Sequence, residues 1–234
     1  MGFGAGVKLF SSLVDFISQS IQFFYIITDK IGIPNYGLAI ILFTVAVKII
    51  LYPLTYKQMK AMRKMQELQP KVKEIQEKYK KNPQKSQEEL MKLYKEHGAN
   101  PFAGCWPLLI QMPILIALFR SLQVFFDPTK HPDYVNLAHA KFLWIDNLGN
   151  PDPLLLPILV GVTQYLQQKV TSPNIQDQTQ KTMLYMMPIM LAVISRGFPA
   201  GLSLYWVVFS VVGAVQQIII NRQPLAVKEE VRAK

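Results

Sequence analysis

An all-α membrane protein is the fold class that the sequence predicts, and three observations predict it. Half of the 234 residues are apolar and only 17% are charged. The apolar letters come in long blocks instead of alternating with polar ones at helix or strand period, and mean hydropathy is positive. The net charge of +10 is concentrated in one stretch between two of those blocks.

A hydrocarbon core about 30 Å thick, crossed at about 1.5 Å per residue, needs about 20 mostly apolar residues per span. Five stretches approach this: residues 36–56, 105–126, 153–168, 182–194 and 200–220, the third and fourth being short or interrupted. The expected order is therefore a first span at 36–56, a charged segment at 57–97, four further spans with their loops within 98–222, and a short tail at 223–234. Prolines at 53, 107, 113, 157, 188 and 199 lie in or at the ends of these spans, where each removes a backbone donor and bends its helix.

Residues 1–35 carry Phe10, Leu13, Val14, Ile17, Ile21 and Phe24 at helical spacing, with Lys8, Ser11, Asp15, Ser18 and Gln22 opposite. This predicts an amphipathic helix lying along the membrane surface. A cleavable signal is disfavoured, because no basic region precedes the apolar residues and Asp15 interrupts them. An N-terminus on the outer face ordinarily needs a targeting segment, so a further segment upstream of Met1 is expected.

Residues 57–97 contain Lys57, Lys60, Arg63, Lys64, Lys71, Lys73, Lys78, Lys80, Lys81, Lys85, Lys92 and Lys95. Residues 127–152 set only Lys130 and Lys141 against Asp127, Asp133, Asp146 and Asp152. The positive-inside rule places the first segment in the cytoplasm, which puts the N-terminus outside and the tail, with Lys228, Arg232 and Lys234, inside. Within the basic segment, Val72, Ile75 and Tyr79 form one apolar stripe, and Leu90, Leu93 and Tyr94 a second. Two helices joined at Asn82-Pro83 and packed along those stripes form a cytoplasmic hairpin, whereas a wholly solvated charge run would explain the lysines without the stripes.

Lys48 lies near the middle of the first apolar stretch, and no acidic residue occurs in any of the five. A lysine at a helix centre costs about 2.5–3.5 kcal/mol on insertion scales, so it ordinarily faces a bundle interior or a watered cavity. The competing reading is a long side chain snorkelling to the headgroups. Thr44, Lys48 and Thr55 fall on one helical face, and other spans offer Gln111, Gln164, Ser203, Ser210 and Gln216, which together favour a polar groove. For each of those residues alone, an ordinary interhelical hydrogen bond is the alternative. Gln167, Gln168 and Gln217 are expected near the interface. Arg120 and Arg196 are read as anchors at the outer surface.

Enzyme constellations are missing from the pattern: no acid pairs with Lys48, no nucleophile neighbours a histidine, and no glycine loop has phosphate-binding spacing. His97, His131 and His139 lack metal-ligand spacing, so neither a metal nor a cofactor is expected, and the lone Cys105 excludes a disulfide framework within the chain. The aromatics of the basic hairpin fall on its packing stripes, so direct nucleic-acid recognition is not expected.

With these residues in view, the sequence resembles the YidC/Oxa/Alb family of membrane protein insertases, bacterial YidC type. The resemblance rests on KIILYPLT, LQPKVKEIQEKYK, NPFAGCWPLLIQMPILIAL, LPILVGVTQYLQQK and FPAGLSLYW, in that order across most of the chain. It implies five transmembrane helices around a hydrophilic groove, open to the cytoplasm and laterally to lipid. It also implies a positive groove residue at Lys48, usually Arg in the family, and groove or substrate-contact positions at Gln111, Tyr205 and Trp206, beside Thr44 and Ser203. Lysine keeps the charge without the planar fork, so a strict requirement for guanidinium geometry is not expected. The implied function is receipt of nascent membrane proteins and their lateral release into the bilayer of the bacterial inner membrane, without chemical turnover. The Sec translocon and the ribosome are further partners the resemblance suggests. Shorter members often end in a long basic tail, whereas this sequence ends in NRQPLAVKEEVRAK, and it lacks the large outer domain of many bacterial members. The alternative from another class is an ion or small-solute transporter using Lys48 as a binding residue.

Overall fold

A computed structural model describes residues 2–99, 106–171 and 178–222. The motif start at 100–105 with Cys105, part of the loop between the last two short spans, and the tail at 223–234 lie outside the described residues. Among the described residues nine α-helices follow one another: α1 (Gly2–Lys30), α2 (Tyr36–Ile50), α3 (Tyr52–Glu67), α4 (Gln69–Lys78), α5 (Pro83–Glu96), α6 (Trp106–Phe125), α7 (Leu155–Thr171), α8 (Gln178–Ser195) and α9 (Ala200–Arg222), with a short 3-10 turn at Leu137–Ala140. The described residues form no strand beyond two isolated bridges, as an all-helical reading requires.

The helix ends follow from local chemistry. Gly32, at φ 83°, ends α1: its N–H reaches the Asp29 carbonyl and the N–H of Ile33 reaches that of Thr28, a left-handed stop that a side chain would strain. Asn35 then caps α2 by accepting from the Leu38 N–H at 3.1 Å, and Asn82 caps α5 by accepting from the Lys85 N–H at 3.1 Å. Asp152, almost buried, accepts from the N–H groups of Leu154 and Leu156 at the start of α7 and from the Trp144 indole at 2.7 Å. Burial pushes its carboxyl up, but those donors and the Leu155 N–H outweigh burial and hold it below the ordinary carboxylate value.

The expected first span at 36–56 is broken. Pro53 has no N–H to give and its ring displaces the carbonyl one turn back, so α2 stops at Ile50 and α3 departs at 65°. Thr55 therefore belongs to α3 and does not share the face of Thr44 and Lys48. The basic segment accordingly holds three helices: α3, then α4 and α5 paired against each other. Val72 and Leu93 are buried in that hairpin, with Ile75, Tyr79, Leu90 and Tyr94 partly covered, as the stripes required. At its base the Lys71 ammonium donates to His97 Nε2 at 3.0 Å, while His97 Nδ1 faces the Leu93 carbonyl at 2.9 Å.

The main core gathers where α1, α2, α6, the start of α9 and residues 127–152 meet; we call this the loop end. Tyr36 is wholly buried, stacked on Tyr25 at 4.1 Å and edge-on to Phe125 and Phe126. Its hydroxyl donates to Gln22 and accepts from the Asn136 N–H. The loop also caps α9, since the Asn150 and Leu148 carbonyls accept from the Ala200 and Gly201 N–H groups, each at 2.8 Å. A methyl on Gly37 would fall inside the Phe142 ring.

On α1, Ile17, Ile21 and Tyr25 are buried, but two residues of the expected water-facing stripe turn inward: Ser18 meets Ser121 of α6 at 2.7 Å and Gln22 meets Tyr36. Phe16, Phe23, Ile26 and Ile27 are exposed instead. By length and composition, Lys8–Lys30 and Ala200–Arg222 are each sufficient to cross a membrane, and the bent α2–α3 pair adds a third if counted as one span. Gln111–Phe125 and Lys181–Ser195 are apolar but shorter.

Candidate functional site

Helix α9 is the spine of the site, packed on α7 along one side and on α2 along another. Ser203, Trp206, Ser210, Gly213 and Gln217 recur at steps of three and four and so share one stripe of α9. That stripe meets a polar row on α7. Gln164 Oε1 accepts from the Trp206 indole at 3.1 Å and from the Ser210 hydroxyl at 3.4 Å.

Lys48 enters this seam from α2. It is 3% exposed, and its Nζ lies 3.3 Å from the centroid of the Phe209 ring, well inside the range of a cation–π contact. The same Nζ is 3.0 Å from where a Cβ would stand on Gly213, and the Gln167 amide lies closer still. Any side chain at 213 would therefore displace the ammonium. Phe209 and Gly213 lie about 14 and 20 Å along a helix of about 34 Å, so the cation sits near mid-bundle. Among the described residues it meets no carboxylate and no hydrogen-bond acceptor. The competing reading of a snorkelling side chain does not describe this fold, because the side chain turns into the bundle.

Buried polar atoms without a partner also occur on α3, α7 and α9. Gln216 donates to the Lys48 carbonyl at 3.4 Å, yet its own Oε1 is buried and has no partner. The buried Oε1 atoms of Gln168 and Gln217 and the Nε2 of Gln58 are in the same state. Such groups ordinarily find partners, because leaving one unmade costs about 1–3 kcal/mol. The helix ends below are better satisfied: Arg63 of α3 donates to the Ile220 carbonyl at 2.9 Å, Gln66 to the Thr171 carbonyl, and Asn221 to the Val170 carbonyl at 3.1 Å. Helix α3 thus caps the last turns of α7 and α9 at what we call the basic end.

The remaining expected site residues fall into separate groups. Gln111 of α6 donates to the Tyr205 hydroxyl at 2.8 Å on the α6 side of α9. Trp206 and Ser210 join α7. Ser203 is buried with an unpaired hydroxyl, and Thr44 is buried with its hydroxyl given to the Ile40 carbonyl at 2.6 Å. Gln167 and Gln217, expected near the interface, are drawn into the seam and its lower end. Phe209 and Gly213 were not singled out from sequence; their place three and seven residues after Trp206, on a helix already rich in small and polar residues, is the signal that would have found them. Arg120 and Arg196 are exposed. No group of three or more metal-ligating side chains forms among the described residues.

The family model described as 60Kd inner membrane protein matches residues 26–228. A protein of Fusobacterium nucleatum named membrane protein insertase YidC is 41% identical over 216 residues, covering 91% of this chain and 98% of that protein. The insertase YidC of Geotalea daltonii is 40% identical over 215 residues, covering 91% of this chain but only 38% of its own length, and that of Helicobacter pylori J99 is 44% identical over 190 residues, covering 80% and 33%. The chain therefore spans little more than a third of those longer relatives. A crystal structure described as an active YidC insertase with the first transmembrane domain resolved superposes with a TM-score of 0.68 at 30% identity, over 93% of this chain and 46% of that one. The resemblance carried by the five sequence motifs is borne out, and this helical chain belongs to the 60Kd inner membrane protein family, among relatives named membrane protein insertase YidC.

Proposed function

We propose that the chain is an insertase that receives segments of nascent membrane proteins at the seam between α2, α7 and α9 and releases them laterally into lipid, without chemical turnover. In this reading α2, α6, α7, α8 and α9 are the five spans. The α4–α5 hairpin stands in the cytoplasm, the N-terminus lies outside, and α1 rests on the outer surface. The observation that carries the proposal is the ammonium of Lys48, buried at mid-bundle against the Phe209 ring with no carboxylate beside it among the described residues.

A permanently structural cation would have a permanent partner; one without it is matched to a visitor. A carboxylate 4 Å from the ammonium gains about 4 kcal/mol at an effective dielectric of 20. That is close to the roughly 2.5–3.5 kcal/mol that an acidic residue costs at mid-membrane. Pairing at Lys48 thus offsets the penalty of a passing acidic segment without trapping it. Gln164, Gln167, Gln216 and Ser210 offer hydrogen bonds to a polar backbone, while Gln111, Ser203, Tyr205, Trp206 and Thr44 border the path. An outside-positive membrane potential, worth about 2.3 kcal/mol per charge per 100 mV, then pulls the acidic segment outward.

Helix lengths support the lateral path. At about 1.5 Å per residue, α2 and α7 reach only about 22 and 26 Å, against about 30 Å for α6 and 34 Å for α9, so the short helices thin the dry layer on their side. The surface placing of α1 is supported by its contact with α6. Ser18 is about 18 Å from the end of α1, yet Ser121 is only about 6 Å from the end of α6, which suits a helix crossing the loop end obliquely. The hairpin, with its basic face, would be the receiving platform. A solute transporter is not favoured by the family to which the chain belongs.

The test is reconstitution of Lys48→Glu and Lys48→Ala in vesicles with a substrate bearing an acidic outer segment. Insertion is expected to fall in both variants and further in the Glu variant. Full insertion by both would refute an essential positive charge.

A further inference from the structure

A second feature lies on the far side of α7 from the seam. Helix α8 carries Pro188 in its interior, and α7 faces it with Gly161. A Cβ on Gly161 would stand 3.1 Å from the Ala192 Cβ and 3.4 Å from the Pro188 carbonyl oxygen, so the helices meet at a bare glycine and a proline bend. The result is an apolar crease of about 300 Å³, walled by Val162 and Ile189 and ended by Tyr165 and Tyr185. Val162, Ile189 and Tyr185 are each at least half exposed.

The two tyrosine rings stack at 6.0 Å across the helix pair. Lys169 lies one turn beyond Tyr165, its Nζ 5.7 Å from that ring. Lys181 lies one turn before Tyr185 on the antiparallel partner, so it shares that tyrosine's face. Both lysines are exposed and neither has an acidic partner among the described residues. They stand at the basic end, two residues from the carbonyl of Thr171 that α3 caps in the case of Lys169. The crease is therefore apolar along its length, aromatic at its mouth and cationic just beyond.

We infer that the α7–α8 crease holds one anionic phospholipid, an acyl chain along the crease and the phosphate between Lys169 and Lys181. The polarity matches an amphiphile of one orientation: the chain runs toward mid-bundle and the headgroup lies at the basic end. Two exposed lysines at the same end of the helix pair distinguish this site from the general lipid annulus, because they discriminate net-negative from net-neutral headgroups. Tyrosine rings at headgroup depth complete it. The inference rests on the membrane setting of α7 and α8 given above, and on nothing about Lys48.

The experiment uses the full chain in nanodiscs and native mass spectrometry, with phosphatidylglycerol and phosphatidylcholine as competing probes. One phosphatidylglycerol is expected to stay bound after bulk lipid is stripped. Lys169→Gln/Lys181→Gln is expected to weaken its retention about tenfold, and Val162→Trp, at an exposed position, to expel both lipids by filling the crease. A photocrosslinker at Ile189 is expected to give an adduct with the mass of a lipid. Equal retention of the two lipids by the wild-type chain, or retention unaltered in the double variant, would overturn the site. So would an Ile189 adduct with a protein. Nanodisc incorporation and insertion activity are read on the same samples, so that loss of the lipid site with both intact is separable from failure of the membrane reading.

Discussion

The loop end and the seam between α2, α7 and α9 handle buried polar groups differently. At the loop end, the Tyr36 hydroxyl has a donor and an acceptor, Asp152 has several donors, and the first N–H groups of α9 rest on loop carbonyls. Around Lys48 and below it, a cation has only a ring for company, and buried oxygens on Gln168, Gln216 and Gln217 go unpaired. The first region is arranged largely like a protein core, with the unpaired Ser203 hydroxyl as its exception; the second leaves buried amide oxygens on α7 and α9 without partners. Marginal stability makes such groups costly, as expected of a seam where the proposed function outweighs packing.

That contrast can be broken by substitution, and the largest effect is expected at the loop end. Tyr36→Ala removes a stacked, edge-packed and hydrogen-bonded ring and should destabilise by about 3–5 kcal/mol, as truncation of buried aromatics does; thermal unfolding in detergent measures it. In the seam the sign should reverse. Lys48→Met replaces an unpaired buried charge by an apolar chain of similar length and should stabilise by about 1–3 kcal/mol while insertion falls. A loss of stability there would mean that the cation holds the bundle together, and the contrast would fail.

Smaller effects sharpen the picture. Arg63→Met leaves the last carbonyls of α9 without their charged donor and should cost about 1.5–3 kcal/mol, read as earlier hydrogen exchange at the ends of α7 and α9 than at the loop end. Asp152→Ala should cost about 1 kcal/mol through the lost cap of α7. Because the folded Asp152 carboxyl lies below its ordinary value, its contribution is complete above about pH 4 and is lost as pH falls through the folded value. A Tm difference between wild type and Asp152→Ala should accordingly be full at pH 7 and shrink under acid. A difference independent of pH would assign the effect to packing of Trp144.

Much of the site was legible in one dimension. Lys48 stands out because charge within an apolar block is rare, and Trp206 and Gln111 because they accompany the family motifs. The direction of Gln167 is not legible in one dimension: its place near the end of α7 suggests an interface, whereas the rotation of α7 against α9 is what turns its amide toward Gly213. Phe209 reads as one more apolar letter until the ammonium is found over it. Thr55 shares the face of Lys48 only if the helix is continuous, and how far Pro53 bends it depends on what α3 finds to pack against.

By itself the sequence determined the class of the molecule, the basic bias of one segment and the identity of the lysine inside the first apolar block. Hydropathy, proline positions and charge counts are sums along the chain and need no partner to be read. Only the tertiary structure decided that the cation is covered instead of snorkelling, that α3 caps α7 and α9, and that buried amide oxygens on α7 and α9 lack mates. Those outcomes depend on helix rotation and crossing, which bring together side chains as distant as Lys48 and Gly213.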